Sequence, residues 1–92
     1  MMTDNGMPPV TVYTTRFCPY CVSAKRLLAK KGAAYTEVAV DRSDEKYAEM
    51  LARSEGMRTV PQIFIGDFHV GGCDELYALE KQGKLDALLN PA

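Results

Sequence analysis

Two thiols three positions apart, Cys18 and Cys21, stand where a β-branched run gives way to a helical repeat, and that junction constrains the chain more than any other feature. Val10 to Thr14, with prolines before and the cysteines after, has the composition of a strand. From Pro19 to Lys31 the residues Cys21, Ala24, Leu27 and Leu28 recur at helical spacing, and Gly32 offers the left-handed exit. A proline is preorganised for the first helical position, so Pro19 makes Cys18 the N-cap. Side chains three apart share a helix face, which brings the Cys21 sulfur within disulfide reach of Cys18 but one turn deeper. One thiol is offered to solvent, at a helix N-terminus that favours a thiolate, and the other waits behind it.

Ninety-two residues are expected to form one domain. With 11 basic and 12 acidic residues the net charge is −1, so nucleic acid and anionic membranes are not expected partners. No stretch has signal-peptide character or approaches the roughly 18 apolar residues of a membrane span, so a cytoplasmic location is the expectation. Three cysteines are too few, and odd in number, for a secreted disulfide framework. A disulfide closing so short a loop contributes little chain-entropy stabilisation, so the pair suits exchange better than stapling.

Residues 1–9 read as a flexible leader. Tyr35 to Val40 forms a second strand, parallel to the first because a helix joins them. Ser43 caps a second helix running to about Glu55, with Tyr47, Met50 and Leu51 inward and Glu49 and Arg53 as an exposed i, i+4 pair. Gln62 to Ile65 and Phe68 to Val70 flank Gly66-Asp67, a hairpin signal. Gly71-Gly72 leads into a helix from about Asp74 to Gln82, and a last turn follows over Leu85 to Leu89.

Three motifs fall on these boundaries: Cys18-Pro19-Tyr20-Cys21, Thr59-Val60-Pro61 and Gly71-Gly72-Cys73-Asp74. Together they resemble the dithiol glutaredoxins of the thioredoxin-fold superfamily, over essentially all of Val10 to Leu89. A thioredoxin would carry Trp-Cys-Gly-Pro-Cys, and this chain has no tryptophan. The resemblance implies an α/β, thioredoxin-like fold over residues 10–92, a four-stranded mixed sheet in the order β-α-β-α-β-β-α with helices on both faces. It also implies glutathione-dependent thiol–disulfide exchange, with Cys18 as nucleophile and Cys21 as resolving thiol. Glutathione would be a co-substrate, with no tightly bound cofactor and no metal. The implied partners are glutathionylated or disulfide-containing proteins and, indirectly, an NADPH-dependent glutathione reductase; a monomer is expected.

By the same resemblance, Thr59, Val60 and Pro61 form a loop beside Cys18, with a cis peptide before Pro61 and the Val60 backbone open to the tripeptide. Gly72, Cys73 and Asp74 would receive its γ-glutamyl end on a helix N-terminus, where anions are stabilised. Tyr20 would wall the site and Arg58 would reach the glycyl carboxylate. Family members usually carry a cation three residues before the nucleophile, where this chain has Thr15; Arg16 is the candidate replacement. Other readings stay open at several positions. Cys18 and Cys21 could be half of a zinc site, but a second ligand pair is missing, since His69 is the lone histidine and Cys73 reads as structural. Some glutaredoxins carry an iron-sulfur cluster between two chains, and that is the alternative function. Those specialised for it commonly have Gly-Phe-Ser after the first cysteine, where this chain has Pro19-Tyr20-Cys21.

Overall fold

The computed structural model describes residues 8–90. Four strands, β1 (Val10–Thr14), β2 (Tyr35–Ala39), β3 (Gln62–Ile65) and β4 (Phe68–Gly71), form one sheet in the order β2-β1-β3-β4. β1 pairs parallel with β2 and antiparallel with β3, and β4 lies antiparallel to β3. Helices α1 (Pro19–Lys30), α2 (Asp44–Arg53), α3 (Cys73–Lys81) and α4 (Leu85–Leu89) cover it. The mixed sheet and element order are those of a thioredoxin-like fold. No helix among the described residues is long and apolar enough to cross a membrane.

Successive strand side chains point to opposite faces, and the core divides accordingly. Val10, Val12, Ile63 and Ile65 face Ala24, Leu27 and Leu28 of α1, Leu76 of α3, and Leu85 and Leu89 of α4. Tyr13 and Phe64 face the other way, onto Met50 of α2 and Val40. Leu28 has no exposed surface, so Leu28→Ala should leave a cavity and cost about 2–5 kcal/mol, readable as a lowered denaturation midpoint.

Several boundaries differ from the sequence expectation, each for a local reason. β2 stops at Ala39, because Val40 opens a 3-10 turn (Val40–Arg42) that tucks its side chain beside Tyr13 and Met50. α2 stops at Arg53: the Ser54 hydroxyl accepts the Met57 N–H at 3.1 Å, and Glu55 already has φ +60°. Glu49 and Arg53 do not form the expected surface pair. Both turn to the buried Tyr13, whose hydroxyl donates to Glu49 at 2.6 Å and accepts from Arg53 at 3.0 Å. α3 begins at Cys73 with Gly72 as N-cap, so Asp74 lies in the first turn. Of the leader, residues 1–7 lie outside the described residues. Pro9 is tied to the sheet, its carbonyl accepting the Gly66 N–H at 2.7 Å.

Candidate active site

Cys18 occupies the junction between the sheet's C-terminal edge and α1. Its backbone is extended (φ −137°, ψ 100°), and its sulfur accepts the Cys21 N–H at 3.1 Å. The first-turn amides of a helix have no intrahelical partners, so this N-cap sulfur satisfies one of them and gains a donor for negative charge. The same sulfur lies 3.7 Å from the Val60 carbonyl oxygen. Pro19 and Tyr20 are exposed, and Cys18 is half-buried.

Cys21 faces inward and is 1% exposed. Its thiol is pushed up to about 12, first by burial and then by the hydrogen bond to Cys18; the Thr15 backbone and the Lys25 charge act in the opposite direction. Position on the helix therefore gives two identical side chains different chemistry. Neither is in a disulfide.

Beside Cys18 an open cleft of about 180 Å³ is lined by Tyr20, Thr59, Val60, Pro61, Gly72, Cys73, Asp74 and Glu75. Three motifs far apart in sequence meet here because β3 pairs with β1, which brings the loop before β3 beside the start of α1. The Val60–Pro61 peptide is cis. The first-turn amides of α3 are open to an anion at Cys73 and Asp74, since helical bonding begins with Leu76 N–H to Gly72 O. The thiol of Cys73 is raised, chiefly by burial and then by the Asp74 charge, which makes it a poor nucleophile.

Glu75 was not among the expected site residues. Its carboxylate accepts the Gly72 N–H at 2.7 Å, locking the turn that delivers α3 to the cleft. The signal was available, since a glutamate three residues after the N-cap is the capping-box spacing. A side chain at Gly71 would crowd it, a Cβ there lying 3.0 Å from Glu75 Oε1, and Gly71 has φ +111°, which strains any other residue.

The two arginines lie outside the cleft. Arg58 is exposed and makes no ion pair among the described residues. Arg16 is bound to Asp41, its backbone N–H at 3.1 Å and its Nε at 3.2 Å from Asp41 Oδ2. Register explains this. Thr14 pairs with Ala39, so Arg16, two residues beyond, falls alongside Asp41, two beyond Ala39. It lines a separate depression with Thr14, Thr15, Glu37, Ala39 and Arg42. Among the described residues no cluster of three or more His, Cys, Asp or Glu could hold a metal ion.

The glutaredoxin family profile matches residues 10–70. The chain is 61% identical over 84 residues to a glutaredoxin of Pseudomonas aeruginosa, covering 91% of this chain and 99% of that protein. It is 52% identical over 83 residues to glutaredoxin 3 of Escherichia coli, covering 90% and 99% respectively. Among solved structures, the buckwheat glutaredoxin–glutathione complex superposes with a TM-score of 0.81 at 34% identity, covering 95% of this chain and 80% of that one. The solution structure of a Brucella melitensis glutaredoxin gives 0.79 at 56% identity, covering 91% and 90%. Similarity of that extent, reaching across the cysteine pair and the cleft alike, makes this chain a member of the glutaredoxin family.

Proposed function

We propose that this protein catalyses glutathione-dependent thiol–disulfide exchange, reducing protein–glutathione mixed disulfides and protein disulfides through Cys18. The observation that carries the reading is the placement of the Cys18 sulfur, held by a helix amide and adjoining a cleft whose far wall is a second helix N-terminus. Glutathione brings a sulfur and two carboxylates, and the cleft offers amide donors to one of them. The similar buckwheat protein was solved as a glutathione complex.

In the first step the Cys18 thiolate attacks the glutathionyl sulfur of the mixed disulfide. The Cys18–glutathione disulfide forms, the old S–S bond breaks, and the protein substrate leaves as a thiolate that takes a proton from solvent. A second glutathione thiolate then attacks the glutathionyl sulfur, releasing glutathione disulfide and restoring the Cys18 thiolate. On the dithiol route Cys21 gives up its proton, attacks Cys18, and expels glutathione. The Cys18–Cys21 disulfide is returned to two thiols by two further glutathiones, and NADPH supplies the electrons through glutathione reductase. A solvent-facing nucleophile and an open cleft fit a monomer acting on the surfaces of other proteins.

A coupled assay with glutathione, glutathione reductase, NADPH and a small glutathionyl mixed disulfide tests the reading. Turnover that requires glutathione and scales with protein supports it; none would refute it. Because Arg58 is exposed next to the cleft residue Thr59 and makes no ion pair among the described residues, Arg58→Ala should raise the KM for the mixed disulfide roughly threefold to tenfold with less change in kcat, as for loss of uniform binding. Arg16→Ala should leave KM unchanged, since its guanidinium is committed to Asp41.

A further inference from the structure

Behind the cleft, on the α2 face of the sheet, lies a polar chain that the exchange steps do not use. Gln62 is a polar side chain at the heart of the fold, 1% exposed. Its Nε2 donates to the Thr59 carbonyl at 3.0 Å and to the Thr59 hydroxyl at 3.2 Å. Its Oε1 lies 2.6 Å from His69 Nε2. The His69 ring is stacked on Phe64, centroids 4.6 Å apart and 16° from parallel, and the Arg53 guanidinium sits 4.2 Å from the Phe64 centroid.

The donor directions have one solution. A carbonyl oxygen can only accept, so the Gln62 amide must present its NH₂ to Thr59. Its oxygen therefore faces His69, and His69 Nε2 must carry a proton. Stacking on Phe64 holds the ring that donates it. Burying an amide is costly unless its bonds are made, and here both ends are satisfied.

The consequence falls on the peptide joining Thr59 to Val60. In a trans peptide the C=O and the following N–H point in opposite directions. Gln62 holds the Thr59 carbonyl inward, so the Val60 N–H is turned away from Gln62, on a peptide whose two residues both line the cleft. That N–H has no partner among the described residues. The neighbouring Val60 carbonyl already faces Cys18 Sγ.

From this we infer that Gln62, held by His69, is a positioning residue for the substrate: it sets the Thr59–Val60 peptide so that the Val60 N–H is presented to the backbone of glutathione. The inference rests on the glutathione reading above and adds the device that keeps one edge of the site ready. Neither Gln62 nor His69 lines the cleft. Their work is preorganisation, since an untethered peptide could rotate and offer a carbonyl where a donor is required.

The test uses two variants of Gln62 and one of His69 in the full chain. Gln62→Glu keeps the acceptor for His69 and loses both donors to Thr59; Gln62→Met keeps the volume and loses all three bonds without burying a charge. His69→Phe keeps the stack on Phe64 and loses the N–H. Both Gln62 variants should raise the KM for the glutathionyl mixed disulfide roughly fivefold to tenfold, the size of one hydrogen bond, with kcat falling far less. His69→Phe should raise it less, because the amide keeps its donors. In ¹⁵N NMR the Val60 amide of the wild type should shift on addition of glutathione, and that response should shrink in both Gln62 variants. If folded Gln62→Met keeps the wild-type KM and the wild-type Val60 response, the inference is overturned while the glutathione reading stands. If the wild-type Val60 amide ignores glutathione and the wild type shows no glutathione-dependent turnover, both fall together.

Discussion

Cys18→Ser is expected to abolish turnover of glutathionyl mixed disulfides and of protein disulfides alike, a fall of at least roughly three orders of magnitude in kcat/KM. The geometry leaves no substitute. Cys21 is buried and protonated, and Cys73 is buried with its thiol raised, so neither can take over attack on an external disulfide. A serine hydroxyl at the N-cap would still accept the Cys21 N–H, and that keeps the helix start intact. The variant should accordingly fold with an unchanged thermal midpoint while losing activity, which separates loss of the nucleophile from loss of structure. The coupled assay and a melting curve on the same preparation measure both.

Cys21→Ser should behave differently, and the size of the difference follows from the thiol's environment. In the reduced protein a thiol held at about 12 is ionised in only about one molecule in 10⁵ at pH 7, whereas an ordinary thiol near 8.5 is ionised to about 3%. Once Cys18 carries glutathione its own contribution to that rise is gone and burial remains, so about 12 is an upper bound for the resolving step. The more basic thiolate is roughly 25 to 55 times more nucleophilic, so the net handicap of Cys21 against a glutathione thiol is at most roughly a hundredfold. Proximity offsets this: against glutathione at about 1 mM, an effective concentration on the order of 0.1 M suffices, far below the values oriented groups reach. Cys21 can thus compete for the Cys18 adduct, but glutathione can resolve it alone. Cys21→Ser should retain at least about half the activity toward mixed disulfides and lose most of the reduction of protein disulfides, where the intramolecular step is required.

Much of this site is legible in the chain because its residues announce themselves locally. A proline between two cysteines at a strand-to-helix boundary defines the N-cap, and the observed start of α1 at Pro19 follows from that alone. β1 and β3 were readable to the residue, since apolar runs bounded by turn residues have few alternatives. What sequence reasoning missed depends on pairing across the fold. That Arg16 would meet Asp41 is a matter of β1–β2 register, and nothing near Arg16 in sequence encodes it. Likewise Glu49 and Arg53 have the spacing of a surface pair, but a buried tyrosine hydroxyl nearby needs partners and takes both. Gln62 and His69 are seven residues apart across a hairpin, and only the fold of β3 against β4 brings them into contact.

On the proposed chemistry Cys18 passes through a covalent glutathione adduct that a second glutathione can resolve. Intact-mass measurement on Cys21→Ser detects that adduct. Mixed with a glutathionyl disulfide in the absence of free glutathione, the variant should convert to a species carrying one glutathionyl group on Cys18, and added glutathione should discharge it at a rate that accounts for steady-state turnover. A Cys21→Ser protein that forms no adduct and is as inactive toward the mixed disulfide as Cys18→Ser would contradict the claim, because the chemistry would then require both thiols and glutathione would have no place in it.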